Sequence, residues 1–418
     1  MKTILLVEHC TAKEFLLKKA KEKGYRIIMV ASEPKDFFKK YIADTDVIIT
    51  DVFDAKNMVE KTFFFIQKNG LKIDAIGTFS DDLVVATADL AALLGCNGIG
   101  QLAARCTSSN KLAMRTKVAT SGKVMQPKFA PFNIYDREDS IVLERFPKPC
   151  VIKPQFGTTS HGVFMIRDNN FDYDDLADRI SKTVNREIRE SFRYFSGNML
   201  VEEYIPGKMI SVDGFVSRGD VSIVGSIEFI MGEEPYFTQV ASYIPAQLSE
   251  VESSAVKDAL KNVVDVLGFG YAPFHAEFRI KDGIPYLIEI AGRMAGALIH
   301  ETYDRVYGID MIDLMYSNWL GESIPKDFSP FGINYHALYY PDIQSPGVLL
   351  GVYGYEKFSQ IKGINYFKLM AKIGDTLKTY PNTPSPIFEF SYFTKNMEEI
   401  EEIKSRLDEL ITYNVGTL

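Results

Sequence analysis

Between residues 274 and 293 the sequence FHAEFRIKDGIPYLIEIAGR alternates between apolar and polar positions. Phe274, Ala276, Phe278, Ile280, Ile284, Tyr286, Ile288 and Ile290 occupy the even positions, a pattern that predicts a hairpin with one buried face. The odd positions include His275, Glu277, Arg279, Glu289 and Arg293. A three-residue loop, Lys281-Asp282-Gly283, predicts Ile280 opposite Ile284. Glu277 then faces Leu287, diagonal to Glu289, and both carboxylates leave one face within reach of a single cation. A two-residue loop is expected to throw them onto opposite faces. Two carboxylates beside an arginine suggest a divalent cation holding a polyphosphate. Solvated charges on an ordinary antiparallel sheet are the plain alternative.

The first hundred residues alternate in type. Apolar runs at 4–7, 26–30, 47–50 and 73–78 predict strands, and helical periodicity covers 12–23, 55–68 and 82–94. This is the pattern of a parallel α/β unit. The loop after the first strand, Glu8-His9-Cys10-Thr11, lacks the glycines of a dinucleotide turn. A GxGxxA sequence at Gly98, Gly100 and Ala103 follows a helix rather than a strand and is weak as a cofactor fingerprint. A helix is expected over 110–121. Beyond residue 141 come short strands, a polar helix near 174–194 and a helix over 253–267. Strands bounded by Gly and Pro follow from about 331. Met397, Ile400, Ile403, Leu407, Leu410 and Ile411 predict an amphipathic helix in the last 20 residues.

At 418 residues the chain is long enough for two to four structural units. A net charge of -8 argues against a nucleic-acid partner. No apolar run approaches the roughly 18 residues that span a bilayer, so no membrane partner is expected. The apolar run before Glu8 is too short for a signal peptide. Cys10, Cys96, Cys106 and Cys150 are scattered, without CxxC spacing, and read as buried small hydrophobes in a reducing, cytoplasmic setting.

Lys153 ends a predicted strand, and Gly157-Thr158-Thr159-Ser160-His161-Gly162 turns the chain into another. Such a loop can bring amides and hydroxyls against phosphate oxygens, or serve as a plain hairpin turn. Leu200-Val201-Glu202-Glu203-Tyr204-Ile205-Pro206-Gly207 is a short strand ending in carboxylates, with Asp213 soon after. Taken in order, Lys111, Lys153, the 157–162 loop, Glu202 to Gly207, Glu277 and Glu289-Ile290-Ala291-Gly292-Arg293 resemble the ATP-grasp superfamily. Gly77-Thr78-Phe79-Ser80-Asp81-Asp82 and Asn110-Lys111-Leu112-Ala113-Met114-Arg115 resemble its preceding domain and exit helix. Within the superfamily the chain is most similar to carboxylate–amine ligases of the L-amino-acid (dipeptide) ligase type.

The resemblance implies an α/β fold, α+β in its catalytic part. Its divisions are a parallel pre-ATP-grasp domain at 1–106, a linking helix at 107–125, a small lid subdomain at 126–200, a large subdomain at 201–330 and a C-terminal α+β unit at 331–418. It implies that ATP phosphates meet Lys111, Lys153 and the 157–162 loop. The adenine site would involve Glu202, Glu203, Tyr204 and Ile205. Glu277 and Glu289 would hold one or two Mg²⁺, with Mn²⁺ as a substitute, and Arg293 would neutralise the transferred phosphoryl group. His275, Met294, Ala295, Gly296 and His300 are candidate substrate contacts.

This chain departs from the family's pattern at two positions. Met209 stands where relatives often carry a glutamate for the ribose, leaving Asp213 as the candidate substitute. Ala291 replaces a frequent asparagine, leaving a second Mg²⁺ to Glu289, phosphate and water. The implied activity joins a small carboxylate to an amine through an acyl phosphate, releasing ADP and phosphate. The alternative is an ATP-grasp carboxylase or kinase acting on another carboxylate, bicarbonate or metabolite. Relatives are commonly homodimers.

Overall fold

The computed structural model describes residues 1–8, 13–157, 161–185, 192–193, 195–232, 238–296, 299–379 and 384–417. Four parallel strands, β1 (Thr3–Val7), β2 (Arg26–Ala31), β3 (Val47–Ile49) and β4 (Ala75–Gly77), form an N-terminal sheet in the order β3-β2-β1-β4. Ile4, Leu5, Leu6 and Val7 are all fully buried, as both-face coverage by helices requires. Gly98 and Gly100 serve backbone docking. Tyr271 N–H donates to the Gly98 carbonyl and Gly270 N–H to the Ile99 carbonyl, and a Cβ on Gly270 would lie 2.5 Å from the Gly98 oxygen. The GxGxxA sequence is therefore a seam between the N-terminal unit and the central sheet.

A small antiparallel sheet of β5 (Phe129–Asn133), β6 (Cys150–Pro154), β7 (Phe164–Ile166) and β8 (Asn198–Glu203) runs in the order β5-β8-β6-β7. The polar helix beside it covers Tyr173–Thr183, and residues 186–191 and 194 of the expected span lie outside the described residues. Asp172 caps its start, and it gives way at the β-branched pair Thr183-Val184, where the Asn185 amide turns back onto the Ser181 carbonyl.

The central sheet contains β9 (Lys208–Ser217), β10 (Asp220–Met231), β11 (Gln239–Ile244), β12 (Tyr271–Lys281), β13 (Ile284–Ala291) and β14 (Ile333–Tyr339). Beyond it in sequence lie β15 (Gly347–Tyr353), β16 (Ile364–Leu369), β17 (Thr376–Leu377), β18 (Phe388–Thr394) and β19 (Thr412–Thr417). Strands from both sides of residue 331 share one eight-stranded sheet, β13-β12-β9-β10-β11-β14-β18-β16. Residues 250–267 form the helix Glu250–Leu267, which begins before the expected 253 because Ser249 and Glu252 close a capping box. Its Val256, Leu260, Val263 and Leu267 pack with Ile210, Phe274, Phe278 and Ile290 of the sheet. That packing closes one face of the β9–β12–β13 region and leaves the other for the site.

The C-terminal helix is Met397–Leu410, with Ile400 and Ile403 buried. The last residues are not helical. The chain leaves the helix at Ile411 and forms β19 against β15, because Thr412-Tyr413-Asn414-Val415 favours a strand. Cys96, Cys106 and Cys150 are free thiols, and burial raises the pKa of each. Cys10 lies outside the described residues. Among the described residues no helix is long and apolar enough to cross a membrane.

Candidate functional site

The hairpin forms, but its turn differs from the expected one. Lys281 pairs directly with Ile284, so the loop is the two-residue Asp282-Gly283. Both loop residues have positive φ, 53° and 77°, the backbone that Asp-Gly supplies in a type I′ turn. Such a turn alone would separate the glutamates onto opposite faces. A β-bulge at Ile288 corrects this, because Phe278 pairs with Leu287 while Glu277 pairs with Glu289. The two carboxylates therefore stand directly across the ladder. The buried face changes accordingly: Pro285 and Leu287 face the core, while Ile284 is exposed and Tyr286 and Ile288 are half-buried.

Arg115 fixes the bulge. This arginine lies on the helix Lys111–Ser121, is fully buried, and donates to the Leu287 and Ile288 carbonyls at 2.7 Å each. Its other donors grip Glu202 of β8, with Nε 2.8 Å from Oε1. Lys153 Nζ lies 2.7 Å from Glu202 Oε2 on the other side. Burial alone would raise the Glu202 pKa, but Arg115 and Lys153 together hold it down to about 2. The same burial lowers the Lys153 pKa, against the pull of Glu202.

These elements enclose a cavity of about 410 Å³ between the small sheet and the open face of the central sheet. Lys111, Lys153, Glu277, Glu289 and Arg293 line one part of it, and Val151, Tyr204, Ile205, Met209 and Met231 line an apolar part. Glu202, Glu203, Gly157, His161, His275 and Gly296 also reach the wall. Gly162 is close-packed, and a Cβ there would meet Val184 at 2.4 Å. Thr158, Thr159 and Ser160 lie outside the described residues.

Lys111 Nζ is 3.5 Å from Glu289 Oε2 and also donates to the Ser108 and Gly157 carbonyls. His275 joins Glu277 to a buried chain. Its Nε2 is 3.4 Å from Glu277 Oε1, its Nδ1 is 2.8 Å from Asp213 Oδ1, and Tyr303 donates to Asp213 Oδ2 at 2.9 Å. Burial opposes the charged imidazolium, but the Asp213 and Glu277 carboxylates outweigh it and raise the His275 pKa to about 10. Glu277 is lowered in turn, as His275 outweighs the penalty of burial. Arg293 donates to Asp81 through Nε at 2.8 Å and through its terminal nitrogen, and Ser108 holds the other Asp81 oxygen at 3.0 Å. Burial favours neutral Asp81, yet Arg293 keeps it below the usual carboxylate range.

Four expected residues stand apart from the cavity. Asp213 is 1% exposed and committed to His275, Tyr303 and Ser211, so it is removed from ribose contact. Met294 and Ala295 are buried, and Met294 joins the core beneath the N-terminal sheet. His300 stacks on Phe15 with ring centroids 4.7 Å apart. Conversely, Arg115 and Asp81 organise the site without having been assigned to it. Arg115 shares one buried helical face with Lys111, Met114 and Val118.

Among the described residues, no group of three His, Cys, Asp or Glu side chains could hold a metal by themselves. The facing pair does fit Mg²⁺, which takes one or two carboxylates and completes its shell with phosphate oxygens and water. The adjoining lysines and arginine suit a ligand with several negative charges.

The family model of the ATP-grasp domain matches residues 146–301. The chain carries an ATP-grasp domain. That stretch holds Lys153, Glu202, Glu277, Glu289 and Arg293, so the ATP-grasp domain supplies most of the cavity wall. Human carnosine synthase 1 is 25% identical over 72% of this chain and 37% of its own length. The alanine–anticapsin ligase of Bacillus subtilis strain 168 is 26% identical over 58% of this chain and 53% of its own length. The chain thus spans between a third and just over half of these curated relatives. In fold, it is similar to an L-amino acid ligase of Bacillus licheniformis, with a TM-score of 0.75, 21% identity and coverage of 99% and 98% of the two chains.

Proposed function

We propose that this protein is an ATP-dependent carboxylate–amine ligase acting on small molecules, with an amino acid as its carboxylate substrate. The observation that carries the proposal is the single cavity in which Glu277 faces Glu289 while Lys111, Lys153 and Arg293 converge from three other elements. The ligase and synthase names of the relatives, together with the L-amino acid ligase fold, support amide formation over other ATP-grasp chemistry.

In this reading Tyr204 and Ile205 receive the adenine, and Lys111 and Lys153 hold the phosphates. Glu277 and Glu289 would hold Mg²⁺, which supplies charge neutralisation on the terminal phosphates when bound. The substrate carboxylate attacks the γ-phosphorus and ADP departs. An amine then attacks the resulting acyl carbon and phosphate leaves, so one ATP is consumed per amide formed. Arg293 neutralises the charge that gathers on the phosphoryl oxygens, and Asp81 fixes its guanidinium in place. The carboxylate–histidine chain from Tyr303 through Asp213 and His275 orients Glu277 from behind.

A phosphate-release screen over pairs of amino acids, with ATP and Mg²⁺, tests the reading. The expected outcome is release that requires both members of a pair and yields one dipeptide per phosphate. Release that is the same with and without amino acids would refute it.

A further inference from the structure

We infer that Arg279 is the sugar-contacting residue of the nucleotide site, donating to ribose hydroxyl oxygens and selecting ribonucleotide over 2′-deoxyribonucleotide. The inference rests on the ATP reading of the cavity and adds a role for a hairpin residue to which that reading gives none. Arg279 follows Glu277 by two positions on β12, so both side chains leave the same face roughly 6–7 Å apart along the strand. Its cross-strand neighbour on β9 is Met209, and its guanidinium lies over the Tyr204 ring, 5.3 Å from the centroid. It therefore joins the carboxylate part of the cavity to the apolar part, the stretch that a nucleotide's sugar spans when its base and phosphates occupy the two ends.

The other polar groups nearby carry bonds of their own: Lys208 donates to the Gln247 carbonyl at 2.6 Å, and Glu228 accepts from the Gln247 amide at 3.0 Å. Met209 offers no hydrogen-bonding group that could serve a hydroxyl well. Asp213 is buried and held by three partners. Glu203 accepts from the Lys128 amide at 3.3 Å. Arg279 carries five N–H donors in a planar fork. One reaches the Gly207 carbonyl at 3.3 Å, and the guanidinium carbon lies over the Tyr204 ring. Arg279 also borders the open groove next to the cavity, shared with Tyr204, Gly207 and Met209, as a residue at the site's mouth would.

A hydroxyl oxygen accepts these hydrogen bonds, and a 2′-deoxy sugar lacks one such oxygen. The test is calorimetric titration of MgATP and Mg-2′-deoxy-ATP into the full chain and its Arg279→Met and Arg279→Lys variants. Thermal midpoints serve as the folding control. The wild type is expected to prefer ATP by about tenfold. Arg279→Met should weaken ATP binding by about tenfold or more and bring the two nucleotides to the same Kd, and Arg279→Lys should recover part of the affinity for ATP. An Arg279→Met variant that binds ATP as the wild type does, or that keeps the wild-type preference, overturns the assignment. A wild-type chain that binds neither nucleotide sinks the ATP reading itself, which separates the two failures.

Discussion

Alanine in place of Glu277 or Glu289 is expected to lower ATP turnover by about 10²–10³-fold, with the fold intact. The two carboxylates face each other across a bulged ladder, and Lys111, Lys153 and Arg293 reach the cavity around them. Removing one leaves a single carboxylate among Lys111, Lys153 and Arg293, so charge on a bound polyphosphate loses its divalent bridge. Because the two act as one unit, the double variant should be little worse than either single variant. For Glu289→Ala stability should change little, since Glu289 is half-buried with Lys111 as its ion-pair partner at 3.5 Å. Steady-state turnover together with thermal unfolding checks this. Unchanged turnover in Glu289→Ala would remove the metal assignment.

The second large effect concerns stability. Arg115→Met is expected to cost about 3–5 kcal/mol, because breaking a buried ion pair leaves its partner uncompensated. Glu202 would keep Lys153, but the Leu287 and Ile288 carbonyls would lose their donors and the bulge its clamp. The pH dependence has a definite sign. The Glu202 pKa is lowered in the folded state to about 2 from the ordinary 4.5, so its contribution is full above about pH 4.5. It is lost progressively as pH falls toward 2. Urea unfolding at pH 7 and at stepwise lower pH should therefore show the gap between wild type and Arg115→Met narrowing on acidification. A gap that is constant with pH would show that the ion cluster contributes nothing specific.

Much of this site is legible in the sequence. The N-terminal strands announced themselves as short apolar runs between amphipathic helices, and the 274–293 alternation located the hairpin. Its register was not legible in the same way. Period-two alternation fixes a face only while the ladder is regular, and here a tight Asp282-Gly283 turn and the Ile288 extra residue cancel each other. The expected pairing of the glutamates on one face held, for a different reason than the loop length gave. Arg115 escaped assignment because its partners lie 87 and 172 residues away in sequence, distances that local pattern cannot bridge. Asp213 is a similar case: alternation places it on the β9 face that also carries Ser211, but only the folded chain brings His275 and Tyr303 onto it. The polar helix ends at Thr183, where β-branching and a side-chain amide compete with the helical ladder.

The most direct measurement of the central proposal is hydroxylamine trapping with ATP, Mg²⁺ and single amino acids. Hydroxylamine replaces the amine and intercepts an acyl phosphate as a hydroxamate. The account predicts hydroxamate in equal amount to ADP and phosphate with at least one amino acid, and none with Glu289→Ala. ATP consumption without hydroxamate from any amino acid, or phosphate retained on a hydroxyl or bicarbonate-derived product, would contradict it and favour a kinase or carboxylase.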